Sequence, residues 1–215
     1  MTGEKVVLVS PTGEDMSAEL ATFVKAIGLE RAAPGRYSLL LSLGLFGGHL
    51  AGRLNPAKVI REIEALEGVG APSRLKPPIQ NRHPPLKGLW HKHHLQDGLG
   101  SLAKNLRRSL HKYGMPYLEQ QIQEAERLGE ERYITPDMVG ALVDDAVLGN
   151  LRRLSEDRSI TGEWLLYAKY EGKNYYLCLT SHDASQHDEL RKQIDLVCCR
   201  EFSFLTDLLS DASRD

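Results

Sequence analysis

The strongest constraint on the fold is a pair of β-rich segments near the C-terminus, separated by a short turn that contains a glycine. From Gly162 the chain reads GEWLLYAKYEGKNYYLCLTSH. Aromatic and aliphatic residues are typical of strands, and two such runs around a glycine-containing turn are typical of a β-hairpin. We therefore predict strands over residues 164–170 and 175–180, joined by a turn at 171–174. One face of the first strand then carries Trp164, Leu166, Ala168 and Tyr170.

Helical patterns occupy most of the remaining chain. A stretch of leucines that step by three and four residues predicts a helix over 95–113. Asn55–Pro56 and Thr135–Pro136 are N-cap and first-turn pairs, which predict that two other helices begin there. Further helices are predicted over 15–28, 116–131 and 183–199. The run KVVLVS at residues 5–10 predicts a short buried strand.

A proline-rich segment suggests a boundary in the chain. Residues 68–85 contain five prolines and two glycines, which are incompatible with the interior of a regular helix or strand. We predict a small N-terminal α/β part (1–70), a connector (71–85) and a larger C-terminal domain (86–215). In that domain helices pack on an antiparallel hairpin sheet, so the fold class is α+β.

The charge is unevenly distributed although the net charge is only −2. Residues 74–112 carry nine Lys or Arg residues and one acid, Asp97, together with five histidines. This asymmetry indicates either an anionic partner or a basic segment that neutralises the acidic segments that follow it.

Cysteine use and hydropathy indicate the compartment. Cys178, Cys198 and Cys199 are three in number and two are adjacent, which is not typical of a secreted disulfide framework. The N-terminus lacks the pattern of a signal peptide, and the most apolar run, residues 37–48, is too short to cross a bilayer. We expect reduced thiols, a cytoplasmic location and no membrane partner.

The histidines allow a metal site, but their spacing does not favour one. His91 and His93 could chelate from one face of a strand, and His182 and His187 form a second set with the cysteines. Neither set has the form of CxxC or HExxH motifs, and we expect no metal and no cofactor. Ser181, His182 and Asp183 are adjacent, whereas catalytic triads assemble from distant positions.

A phosphate-binding surface fits the residue types better. An aromatic ring can stack a base, cations can neutralise phosphates, and imidazoles can transfer protons near neutral pH. We predict Trp90 as the stacking residue and His91, His94 and His182 as the proton-transfer residues. The predicted phosphate-binding residues are Lys87, Lys92, Arg107 and Arg108. The alternative is a solvated amphipathic helix preceded by a tryptophan that fills the core.

Residues 86–207 resemble the barnase–colicin–RelE group of small bacterial ribonucleases in the order of their elements and in the hairpin. The resemblance implies helices before the sheet and catalytic residues on an open face of the sheet. It adds the candidates Lys169, Lys173, Tyr175, His182 and Arg191.

Two functions from different classes follow. The first is metal-independent cleavage of RNA, in a toxin or stress system. The second is a non-catalytic interaction protein of the immunity or adaptor type. It would contact its partner through the acidic segments 119–131 and 144–156 and through the histidine-rich loop at residues 83–94.

Overall fold

The computed structural model describes residues 8–9, 12–96 and 98–211. They form helices and one four-stranded antiparallel sheet, which confirms the α+β class. The strands are β1 (Ile79–Gln80), β2 (Trp90–His94), β3 (Glu163–Tyr170) and β4 (Lys173–Thr180). The helices are α1 (Ser17–Ala26), α2 (Leu29–Ala32), α3 (Leu39–Leu50), α4 (Pro56–Leu66), α5 (Leu99–Tyr113), α6 (Pro116–Leu128), α7 (Pro136–Asp144), α8 (Asn150–Glu156), α9 (His187–Gln193), α10 (Cys199–Glu201) and α11 (Phe204–Asp211). No described helix is long and apolar enough to cross a membrane.

The chain divides into two compact units. The sheet unit comprises residues 1–73, 77–97 and 163–215, and the helical unit comprises residues 74–76 and 98–162. These boundaries do not coincide with the predicted division at 70 and 86. The proline-rich connector belongs mainly to the sheet unit, where it supplies β1, and Leu86 just beyond it is buried.

The predicted hairpin forms the β3–β4 pair of the sheet, whose strand order is β1-β2-β3-β4. Tyr170 pairs with Lys173, so the turn contains two residues, Glu171 and Gly172, rather than the predicted four. Both turn residues have positive φ, 49° and 74°. Such backbone matches the twist of a tight hairpin, which lets each strand extend to the turn.

Both faces of the hairpin are covered in the sheet unit, because alternate residues of β3 enter different apolar clusters. Leu165 and Tyr167 pack with side chains of α1–α4. Leu166 and Ala168 pack with side chains from the C-terminal segment, including Ile194. The resemblance to ribonucleases implied an open face, whereas here each face of the hairpin supports a buried core.

The N-terminal part is helical where it is described. Of the predicted strand at 5–10 only Leu8 and Val9 lie among the described residues, and Val9 forms an isolated bridge with Asp15. The apolar run at 37–48 forms most of α3, and Ser38 caps its start by accepting a hydrogen bond from the Leu41 amide.

The helical unit is formed by α5–α8. α5 begins at Leu99, four residues later than predicted, and follows Gly98, whose backbone is extended. Asn105 joins α5 to the backbone of Thr161, donating from Nδ2 at 2.9 Å and accepting at Oδ1 from the amide at 3.0 Å. The buried residues of the helical unit include the polar residues Asn105, Ser109 and Asn150.

Candidate active site: a histidine–tryptophan cluster

Strand β2 divides its residues between the two faces of the sheet. Successive side chains of a strand point in opposite directions, so His91 and His93 share one face while Trp90, Lys92 and His94 share the other. The five side chains therefore cannot all contribute to one surface.

Trp164 lies at the centre of the face that carries His91 and His93. It pairs with His93 in the β2–β3 register. Its ring stacks on His91 with centroids 4.0 Å apart and planes inclined by 16°. His93 meets the edge of Trp164 at 6.5 Å and the edge of His91 at 5.6 Å. The hairpin thus places an aromatic ring between imidazoles.

Two further histidines reach this face from the segment after β4. His182 stacks on His93 with ring centroids 5.1 Å apart and lies 4.8 Å from Trp164. His187, the first residue of α9, lies 5.4 Å from Trp164. We call His91, His93, Trp164, His182 and His187 the histidine–tryptophan cluster.

Hydrogen bonds hold the segment that carries His182 and His187. The His182 amide donates to Oε2 of Glu163 at 3.2 Å, which fastens the segment to the start of β3. His187 Nε2 lies 3.2 Å from the Ser181 carbonyl oxygen. Because a carbonyl oxygen only accepts, Nε2 carries a proton in this contact.

The orientation of His91 is set by Asn81. His91 Nδ1 lies 2.9 Å from Asn81 Oδ1. The Asn81 Nδ2 group donates to the carbonyl of Leu89 at 3.1 Å, so the amide oxygen is the atom that faces the ring. The Nδ1 atom of His91 is therefore the donor, and the neutral ring has its lone pair on Nε2.

Access to the cluster is uneven. His91, His93 and His187 are buried, Trp164 is half-buried, and His182 is exposed. The indole Nε1 of Trp164 is buried without a hydrogen-bond partner among the described residues. A ligand in solution thus meets His182 first and the other imidazoles only behind it.

The rings of the cluster contact one another by stacking and edge contacts. Among the described residues no group of three or more His, Cys, Asp or Glu side chains is placed to hold a metal ion. Stacked rings present their faces rather than their nitrogen lone pairs to one another.

His94 and Lys92 lie apart from this cluster, although the sequence suggested them as site residues. Both are buried, and Lys92 Nζ lies 3.3 Å from Glu62 Oε2. Burial lowers the pKa of His94 to about 4, and the backbone of Leu95 offsets only part of this shift. These two side chains support the fold and do not face the imidazoles of the cluster.

Trp90 is also on the opposite face. The ammonium of Lys169 lies 3.8 Å from the centroid of the Trp90 ring, a cation–π contact that occupies one face of the indole. The tryptophan that accompanies the histidines is therefore Trp164, whereas the sequence suggested Trp90 as the stacking residue.

The other predicted cations are distributed between the two units. Lys87 is half-buried just before β2, whereas Arg107 and Arg108 lie on α5 of the helical unit. Among the candidates implied by the resemblance, Arg191 donates to Asp195 at 2.9 Å and to the Pro85 carbonyl at 2.9 Å. Tyr175 packs against Phe202 and Phe204, and Lys173 is exposed at the start of β4.

The sequence suggested His91 and His182 as proton-transfer residues, considered His93 and His187 only as possible metal ligands, and did not suggest Trp164. Alternation along a strand already placed His91 and His93 on one face. The β2–β3 register, which brings Trp164 to them, has no local signal in the sequence.

Comparison with protein-family models found no match, and searches of the curated proteins and of the solved structures found none either.

Proposed function

We propose that the protein cleaves RNA without a metal ion, by proton transfer at the histidine–tryptophan cluster. The observation that supports this most directly is the stacking of His93 on His182, which come from distant parts of the chain, with ring centroids 5.1 Å apart. Two imidazoles at one place meet the minimum requirement for acid–base cleavage of a phosphodiester.

The reaction that fits is transfer within the RNA strand. One neutral imidazole removes the proton of a ribose 2′-hydroxyl, and the 2′-oxygen forms a bond to phosphorus. The bond from phosphorus to the 5′-oxygen breaks, and a protonated imidazole donates its proton to that oxygen. The products are a 2′,3′-cyclic phosphate and a free 5′-hydroxyl, and the two imidazoles have exchanged protonation states.

The exposure of the rings assigns roles within this proposal. His182 is the exposed imidazole and would meet the substrate directly, while His93 behind it would act as the second proton-transfer group. The segment 181–186 would have to move away from the sheet to admit the phosphate, since His93 is 2% exposed. Trp164, half-buried beside His182, would contact a base.

The test is cleavage of a labelled single-stranded RNA by the pure protein in the presence of EDTA. We expect a 2′,3′-cyclic phosphate product, and no cleavage where a single 2′-deoxynucleotide replaces the ribonucleotide at the cut site. The substitution His182→Ala should lower the rate by on the order of 10²-fold or more. Retained folding of this variant is checked by circular dichroism.

A matched control is His83→Ala, since His83 is exposed and lies outside the cluster in the same histidine-rich segment. Its rate should equal that of the native protein. Cleavage that survives His182→Ala, or that falls equally in both variants, would reject the cluster as the catalytic site.

The second candidate is a non-catalytic interaction protein, and the burial of three of the four cluster imidazoles favours it. Packed imidazoles can have a purely structural role, in which they complete the core beside Trp164. Absence of RNA cleavage together with a stoichiometric complex with a different protein would support this function.

A further inference from the structure

The helical unit buries few of its apolar side chains. It has 68 residues, yet among the residues that the structure describes it supplies two of the 26 buried hydrophobic ones, Leu75 and Leu154. By contrast it supplies 11 of the 17 large hydrophobic residues that are exposed in the same described part of the chain. Exposed apolar side chains at this density are typical of a surface that another protein covers.

These side chains follow helix faces. On α5, Leu99, Leu102 and Leu110 are 84%, 47% and 37% exposed and step along one face of the helix. On α7, Val139 and Val143 are one turn apart and 46% and 53% exposed. Ile122 on α6 is 50% exposed.

The charges of the unit identify the kind of partner. α5 carries four Lys or Arg residues and no acid, whereas residues 116–144, which include α6 and α7, carry seven acids and two arginines. Taken over the whole unit there are 11 basic and 10 acidic residues. Two copies therefore do not repel one another as a whole, while each presents a basic helix and an acidic surface.

Several of these charges are not used within the unit. Arg107 on α5, Glu126 on α6 and Asp144 on α7 are exposed, and none forms an ion pair with a described residue. Each lies within a turn of an exposed apolar residue of its helix, namely Leu110, Ile122 and Val143 in that order. Apolar contacts surrounded by complementary charges are the usual composition of a specific protein interface.

We propose that the helical unit binds the helical unit of a second copy of this chain. α5 of each copy would lie against the α6–α7 surface of the other, so that one two-fold axis generates both contacts. The exposed leucines and valines would form the centre of the interface, with Arg107 near Glu126 or Asp144 of the second copy. The inference does not depend on the proposed cleavage of RNA.

The experiment uses the full chain and two charge-reversed variants. The basic-helix variant carries Arg107→Glu and Arg108→Glu, and the acidic-surface variant carries Glu126→Lys and Asp144→Lys. Within either variant the substituted positions face groups of like charge in the other copy, whereas a pair made of one copy of each variant restores opposite charges at these positions in both contacts.

Sedimentation equilibrium should find the native protein at twice the chain mass of 24.0 kDa. Each variant alone should dissociate with a Kd raised on the order of tenfold or more. An equimolar mixture of the two variants should recover the dimer. Recovery by mixing also demonstrates that both variants are folded.

A matched control is the pair Arg53→Glu and Arg61→Glu, which makes the same change of charge at exposed positions of the sheet unit. This variant should remain dimeric. A native protein that is monomeric at about 100 µM, dimers that persist in both variants, or a mixture that stays monomeric would each overturn the proposal. Loss of RNA binding in the basic-helix variant, with its dimer intact, would assign the basic face to nucleic acid instead.

Discussion

The ammonium group of Lys92 lies 3.3 Å from the carboxylate of Glu62, and both side chains are buried, at 3% and 7% exposure. Lys92 Nζ also donates a hydrogen bond to Ser73 Oγ at 2.8 Å. This pair joins β2 to α4 inside the sheet unit. A buried ion pair adds little net stability, yet removal of one partner leaves the other charge without compensation.

Replacement of Lys92 by methionine should therefore lower the free energy of unfolding by about 3–5 kcal/mol, because the Glu62 carboxylate stays buried without its cation. The double variant Lys92→Met/Glu62→Leu should recover most of this loss. Urea denaturation at pH 7 measures the free energy of unfolding of both variants. Equal instability in the single and double variants would show that the charges are not coupled.

A second polar contact, which is partly buried, joins the N-terminal part to the hairpin. Glu67 accepts hydrogen bonds from Arg36 Nη2 at 2.5 Å, from the Tyr176 hydroxyl at 2.6 Å and from Asn174 Nδ2 at 3.0 Å. Burial alone would raise the pKa of Glu67, but the hydrogen bonds from these three groups hold it below its ordinary value.

The substitution Glu67→Gln should cost about 1–3 kcal/mol at pH 7. Because the folded pKa is lower than the unfolded one, the carboxylate stabilises the fold fully above the unfolded pKa of about 4.3 and loses this effect as the pH falls through the folded pKa. The difference in the free energy of unfolding between the native protein and this variant should therefore become smaller at acidic pH. As a control, Glu64→Gln on α4, the helix that ends just before Glu67, removes a pair with the exposed Arg31 and should change stability by less than about 1 kcal/mol.

The sequence was sufficient for the local elements and not for the contacts between them. The hairpin followed from aromatic and aliphatic runs around Gly172, and α4 from the Asn55–Pro56 pair, because both signals act between near neighbours in the chain. The β2 strand carries four polar or charged side chains in its buried stretch, namely His91, Lys92, His93 and His94, and such residues ordinarily indicate a surface. Glu62 compensates Lys92, and the rings of Trp164 and His182 pack on the cluster histidines of β2, and those partners are remote in sequence. The division into two units depends on contacts of the same kind, since β1 comes from a proline-rich segment that resembles a linker.

The burial of His94 predicts a dependence of stability on pH. Its folded pKa of about 4 lies below the ordinary histidine value of about 6.5, so the unfolded chain binds a proton more readily between these two pH values. The contribution of neutral His94 to the free energy of unfolding is fully present above pH 6.5 and decreases as the pH falls toward 4. From pH 7 to pH 5 the native protein should lose roughly 2 kcal/mol more than the variant His94→Leu.

Urea denaturation of both proteins at the two pH values measures this difference. The variant His83→Leu serves as the comparison, since His83 is exposed. Its free energy of unfolding should depend on pH in the same way as that of the native protein. The same pH dependence in the native protein and in His94→Leu would mean that His94 becomes protonated without unfolding.

Asn81 should act as a positioning residue for His91 in the histidine–tryptophan cluster. Its Oδ1 atom accepts from His91 Nδ1, which leaves the lone pair of the neutral ring on Nε2. In the variant Asn81→Leu this preference is lost, and ¹⁵N NMR of the imidazoles should show His91 as a mixture of tautomers. The variant Asn81→Asp keeps an acceptor at the same place and should retain the Nδ1–H tautomer. An unchanged tautomer in Asn81→Leu would show that other contacts orient His91, whether or not cleavage is observed.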